Sequence, residues 1–135
     1  MAENRLRWGV GSYALAWNIG VPGYDRPARP LDVTGLVDLA AELEVPLVQI
    51  CDNLPLHELS ADRLSELGNH ARSRGVEVEV GCRSYEAAVL SRYREIAETL
   101  GSPVVRTLLA GPAAGTDALM SEAERALRRV LPEYE

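Results

Sequence analysis

The sequence predicts an α/β fold in which four strand–helix units build a parallel sheet. Short apolar runs alternate with longer segments whose apolar residues recur at helical spacing. The connections are short, as in βαβ units, whose crossovers are right-handed. The chain has 135 residues, of which 47% are hydrophobic and 25% charged, which suits a single domain over residues 1–135 with a core of useful size.

The first strand is expected over Arg7–Tyr13 (RWGVGSY), followed by a loop rich in Gly and Pro through Gly20, Pro22, Gly23, Pro27 and Pro30. Asp32 is the expected N-cap of the first helix, its carboxylate accepting from free backbone N–H groups, with Leu36, Leu39, Ala40 and Leu43 as the apolar stripe. The second strand is Pro46–Asn53 (PLVQICDN). Ser60 caps the second helix, which carries Leu64, Leu67 and Ala71, and Gly75 follows its basic last turn as a C-terminal stop. The third strand is Val76–Arg83 (VEVEVGCR), and the third helix runs from near Ser84 to Leu100 before Gly101. The fourth strand is Val104–Leu109, and the fourth helix spans Thr116–Leu131 and stops before Pro132.

Two architectures fit this alternation: an open sheet with helices on both faces, flavodoxin-like, and a curved sheet with helices on one face, as in a barrel. The third strand favours the barrel. Val76, Val78, Val80 and Cys82 fall on one face, and Glu77, Glu79, Gly81 and Arg83 on the other. A central strand covered on both faces is apolar throughout. An edge strand wetted on one side also alternates. Eight βα units need roughly 250 residues, so four make an arc whose concave face and edges call for a partner.

Composition narrows the chemistry. With 20 acidic against 14 basic residues the net charge is −6, and no basic run exists to neutralise nucleic-acid phosphates. Every basic residue is arginine, so Schiff-base, pyridoxal-phosphate and P-loop lysines are excluded. Met1–Arg5 lacks the apolar run of a signal peptide, and no segment approaches the roughly 20 apolar residues that cross a bilayer. Cys51 and Cys82 are far apart, without metal-type spacing, and are expected to be reduced and to behave as small buried apolar residues. The cytoplasm is the expected compartment.

The strands GVGSYAL, VQICDNLPLHEL, GVEVEVGCRSY and LGSPVVRTLL resemble the sugar phosphate isomerase/epimerase family with the xylose isomerase-like TIM barrel. The resemblance covers nearly the whole chain and implies the N-terminal (βα)4 half of such a barrel, ending where the fifth strand would begin. It implies a divalent metal (Mn, Mg or Zn) for the full-length family, held by Glu, Asp, His and Glu of the second half. Those ligands have no positions in this chain, so no metal ligand, cofactor or catalytic residue is assigned here, and little isomerase activity is expected of these residues alone.

In a barrel the functional rim lies at the C-terminal ends of the strands. The candidates there are Tyr13 and Trp17 after the first strand, Asp52, Asn53 and His57 after the second, Glu79 and Arg83 on the third, and Arg106 with Thr107 on the fourth. Carboxylate and amide groups share hydroxyl hydrogen bonds, and arginine grips a phosphate or carboxylate bidentately. This set suits a sugar or sugar phosphate. Glu79 and Arg106 alternatively form an interior ion pair, Asp52 and Asn53 alternatively cap a turn, and Trp17 alternatively packs its loop down. His70, beside the apolar stripe of its helix, reads as structural. The competing function is a non-catalytic homodimer of half-barrels that binds a small polyol or anion, closed edge to edge under two-fold symmetry.

Overall fold

The computed structural model describes residues 6–110 and 115–135; the reading of Met1–Arg5 falls outside them. Four strands, β1 (Val10–Gly11), β2 (Leu47–Ile50), β3 (Glu77–Cys82) and β4 (Val105–Thr107), form one sheet in the order β1-β2-β3-β4. All three pairings are parallel, with Val48 opposite Val10 and Val78, and Gly81 opposite Arg106. The helices are α1 (Ala16–Ile19), α2 (Val33–Glu42), α3 (Ala61–Ser73), α4 (Ala87–Leu100) and α5 (Thr116–Tyr134). Single 3-10 turns lie at Ser12–Leu15 and Leu56–Glu58.

A sequential strand order with crossovers of one hand puts every connecting helix on the same side. Helices α2 to α5 accordingly pack each on the next. Val48, Ile50, Val78 and Val80 meet Leu36, Val37, Leu64, Leu67, Leu90 and Ile96 in a continuous core on that side. Each fully buried Leu or Ile there contributes roughly 1.5–3 kcal/mol. The opposite, concave face carries Gln49, Glu79 and Arg106, all half-buried. This is a half-barrel arc, and it excludes the flavodoxin-like alternative. Strand β3 is paired on both sides, so its alternation belongs to a barrel wall and not to an edge.

The helix starts follow their caps. Asp32 accepts from the Gly35 N–H at 2.8 Å and Ser60 from the Arg63 N–H at 3.2 Å. Gly75 (φ 68°) and Gly101 (φ 71°) adopt the left-handed conformation that closes α3 and α4 at no cost to a residue without Cβ.

Several expectations are corrected. The first strand shrinks to Val10–Gly11, because Ser12 turns inward and starts a 3-10 turn. The buried stripe of α2 is Val33, Leu36, Val37 and Ala40, which leaves Leu43 exposed at the C-cap. Helix α4 begins at Ala87 and not near Ser84, whose hydroxyl accepts from the Glu86 N–H and holds a turn ahead of the helix. Pro132 does not stop α5, which runs on to Tyr134. The Tyr134 hydroxyl donates to the Leu90 carbonyl at 2.6 Å and fastens the last turn to α4. Among the described residues no helix is long and apolar enough to cross a membrane.

Candidate functional site

The carboxyl ends of β1, β2 and β3 converge on Asp52. It lies two residues beyond β2, where the strand gives way to a turn closed by the Leu54 N–H on the Cys51 carbonyl at 3.0 Å. The Tyr13 hydroxyl donates to Asp52 Oδ2 at 2.7 Å, and Arg83 Nε donates to the same oxygen at 3.1 Å. The hydrogen bond to a carboxylate, followed by burial, raises the Tyr13 phenol above its ordinary pKa, since an ionised phenol there would face a negative charge. The other oxygen, Asp52 Oδ1, is shut off from solvent and has no hydrogen-bond partner.

A second rung runs beside the first. Ser12 is fully buried. Its hydroxyl accepts from the Cys51 N–H at 2.9 Å and donates to Asn53 Oδ1 at 2.5 Å. That leaves Asn53 Nδ2 as a buried donor without a partner. Asp52 and Asn53 therefore do not cap the turn with their side chains; they reach across to the residues after β1. An unpaired buried polar atom costs roughly 1–3 kcal/mol. Two such atoms, one acceptor and one donor, stand on adjacent residues at the strand ends.

Tyr13, Asp52, Arg83 and Asn53 are thus brought together, and Ser12 joins them unforeseen. Its partners lie 39 and 41 residues away in sequence, and no local pattern marks a serine for such a role. The other candidates are placed apart. Trp17, on α1, is 66% exposed and meets Tyr24 edge-on at 5.0 Å between ring centroids. His57 is exposed on the 3-10 turn, with Nδ1 3.2 Å from the Tyr93 hydroxyl. Burial pushes that phenol up to about 12. Thr107 binds the Ser84 carbonyl and accepts from the Ser84 N–H at 3.3 Å, which ties the exit of β3 to β4.

Glu79 and Arg106 do not form the interior ion pair considered from the sequence. Glu79 Oε2 accepts from Gln49 Nε2 at 3.1 Å, whereas Arg106 Nη1 lies 3.2 Å from Cys51 Sγ. The guanidinium lies across β3 over Gly81, where a Cβ would sit in ordinary van der Waals contact with the Arg106 carbonyl oxygen (3.4 Å) and Nη1 (3.6 Å). Below it, Gly9, Gly11, Leu47, Gln49 and Glu79 line a concave-face cavity of about 240 Å³. Both cysteines are buried and free, and burial raises the Cys82 thiol above its ordinary pKa. His70 is structural: its Nε2 lies 2.8 Å from Asp38 Oδ1 and ties α3 to α2.

A further cavity, about 340 Å³, lies between the loop after α1 and the end of β2. Ile19, Gly20, Val21, Pro22, Gly23, Tyr24, Arg26 and Asn53 form its wall. Among the described residues no three His, Cys, Asp or Glu side chains converge as metal ligands. The divalent metal that the resemblance implies for the full-length family therefore finds no ligand set in them.

These features define a class: a parallel βα sheet with helices on one face and a polar site at the carboxyl ends of its strands. No family profile matches the chain. Over 127 residues, 94% of its length, it is 31% identical to the 3-oxo-isoapionate decarboxylase of Pectobacterium atrosepticum. It spans 44% of the length of that enzyme, whose name describes a decarboxylase and not an isomerase or epimerase.

Proposed function

We propose that this chain is the substrate-holding half-barrel of a carbohydrate-converting enzyme and takes a small sugar, sugar acid or sugar phosphate at the Asp52 rim. The carrying observation is Asp52 itself. Its Oδ2 is fixed by Tyr13 and Arg83 while Oδ1 stays buried and unpaired. A substrate hydroxyl donating to Oδ1, after a turn of the carboxylate that uncovers it, would relieve the cost of that unpaired acceptor. Arg83 sets a positive charge beside the carboxylate, and Tyr13 keeps its own proton in the bond to it. Arg106, Glu79 and Gln49 bound the concave face behind the rim.

The similarity to a decarboxylase and the resemblance to isomerases and epimerases share one chemistry. Loss of either a proton or carbon dioxide beside a carbonyl leaves the electron pair as an enolate-type charge. The reaction is assigned only to a complete enzyme. For these residues alone we expect holding and orientation of the substrate without turnover, in the cytoplasm and without a nucleic-acid or membrane partner. Isothermal titration with pentoses, ketoses and their sugar acids tests the binding. Saturable binding that Asp52→Asn and Arg83→Gln weaken at least tenfold supports the reading, and equal binding by the variants refutes it. Measurable isomerase, epimerase or decarboxylase turnover with Mn²⁺ would refute the holding role.

A second reading, a homodimer of half-barrels, is favoured by the open flanks. Strands β1 and β4 each pair on one side only. Beside β4, Leu109, Met120, Leu127 and Leu131 line an apolar groove, and near β1 Leu6 and Trp8 are exposed. Two-fold closure about the barrel axis would set each flank against the other's counterpart. Sedimentation at micromolar concentration tests it, and a folded monomer counts against it.

A further inference from the structure

The cavity between the loop after α1 and β2 differs from the Asp52 rim in the sign of what it offers. Its polar side chains are Tyr24, Arg26 and Asn53, and it has no Asp or Glu in its wall. The Ser12 hydroxyl holds Asn53 by Oδ1, which leaves Nδ2 as a buried donor without a partner at the cavity wall, free to donate once a ligand draws the amide outward. The Arg26 side chain lies over Gly20, where a Cβ would stand 3.5 Å from Arg26 Cγ. Arg26 takes part in none of the ion pairs found among the described residues. Tyr24 is braced edge-on by Trp17. The adjacent Asp25 lies outside the wall.

A pocket that presents donors and an unneutralised guanidinium, and no carboxylate, complements an oxyanion. We propose that this cavity is an anion subsite that holds the terminal carboxylate or phosphate of a short polyol through Arg26 and Asn53. A volume of about 340 Å³ accommodates the anion together with the first carbons of the chain. The anion subsite deepens the reading above and rests on it for the body of the ligand, whose hydroxyls reach Asp52. A bare anion probes the subsite independently.

The test is amide NMR of the full 135-residue protein titrated at constant ionic strength with inorganic phosphate, with acetate and, separately, with the neutral polyol erythritol. Saturable shifts confined to residues 20–26 and the Asn53 side-chain amide are expected from at least one anion. Arg26→Gln, a surface change that does not threaten folding, should weaken that binding at least tenfold. Asn53→Asp, which replaces the free donor by an acceptor, should abolish it. Asp52→Asn should leave anion binding within twofold while removing erythritol binding. Saturation by phosphate alone assigns a sugar phosphate, and saturation by acetate alone assigns a sugar acid. Unsaturable shifts, or affinity unchanged in Arg26→Gln, overturn the subsite. Anion binding without erythritol binding keeps the subsite and overturns the polyol reading, and the converse does the reverse.

Discussion

Replacing Ser12 by Ala should destabilise this protein more than any other single-atom deletion at the rim. The side chain is fully buried, and its one oxygen serves both the Cys51 N–H and Asn53 Oδ1. Its removal leaves two buried polar groups without partners, each costing roughly 1–3 kcal/mol, so the loss should be about 2–4 kcal/mol after some relaxation. For 135 residues an unfolding entropy of about 0.28 kcal/mol/K converts each kcal/mol into about 3.5 °C, which gives a fall in Tm of roughly 7–14 °C. Calorimetry reads the shift, and urea titration reads the free energy with an unchanged m-value. The cycle with Asn53→Ala isolates the shared part, for which a coupling of about 1 kcal/mol or more is expected. A Ser12→Ala protein within about 0.5 kcal/mol of the parent, the range of ordinary surface changes, would refute the reasoning.

Three further outcomes follow from the same structure. Burial holds the Tyr93 phenol at about 12, raised above its unfolded value, so its contribution is intact below pH 10 and is lost as pH climbs toward 12. Ultraviolet titration should show one tyrosine ionising last, near pH 12, after the less strongly raised Tyr13, Tyr85 and Tyr134, and Tyr93→Phe should remove that final step. Gly9→Ala would put a Cβ 2.7 Å from the Leu47 carbonyl oxygen; thermal melts should show a loss of about 1–3 kcal/mol from forcing β1 off β2. Asp32→Ala, which deletes the cap on the Gly35 N–H, should cost about 1 kcal/mol by urea titration, and Asp32→Asn should restore most of it.

What the sequence made legible is local or periodic. Asp32 and Ser60 read as caps because a cap is defined by its own next three residues. The faces of β3 read correctly because a two-residue period survives any tertiary context. In α2 the expected stripe and the buried one share Leu36 and Ala40; Leu39 and Leu43 fit helical spacing as well as Val33 and Val37 do, and only the sheet decides which pair it buries. Tyr13, Asp52 and Arg83 were each marked as rim residues, but their meeting on one carboxylate oxygen depends on register across three strands. Glu79 and Arg106 look like partners by charge, but Gln49 takes the Glu79 carboxylate and the guanidinium lies on Cys51. Ser12 could not be found, because its value lies wholly in residues some forty positions away.

The strand order β1-β2-β3-β4 carries one more consequence. Each unit leans on its predecessor and its successor, and none is threaded back between earlier ones. Such an order can be extended at either edge until the curve closes on itself. Further units could be appended beside β4, or a separate piece slid against β1, without prising apart any layer already laid down. Growth by accretion of this sort would leave Asp52 and its neighbours undisturbed.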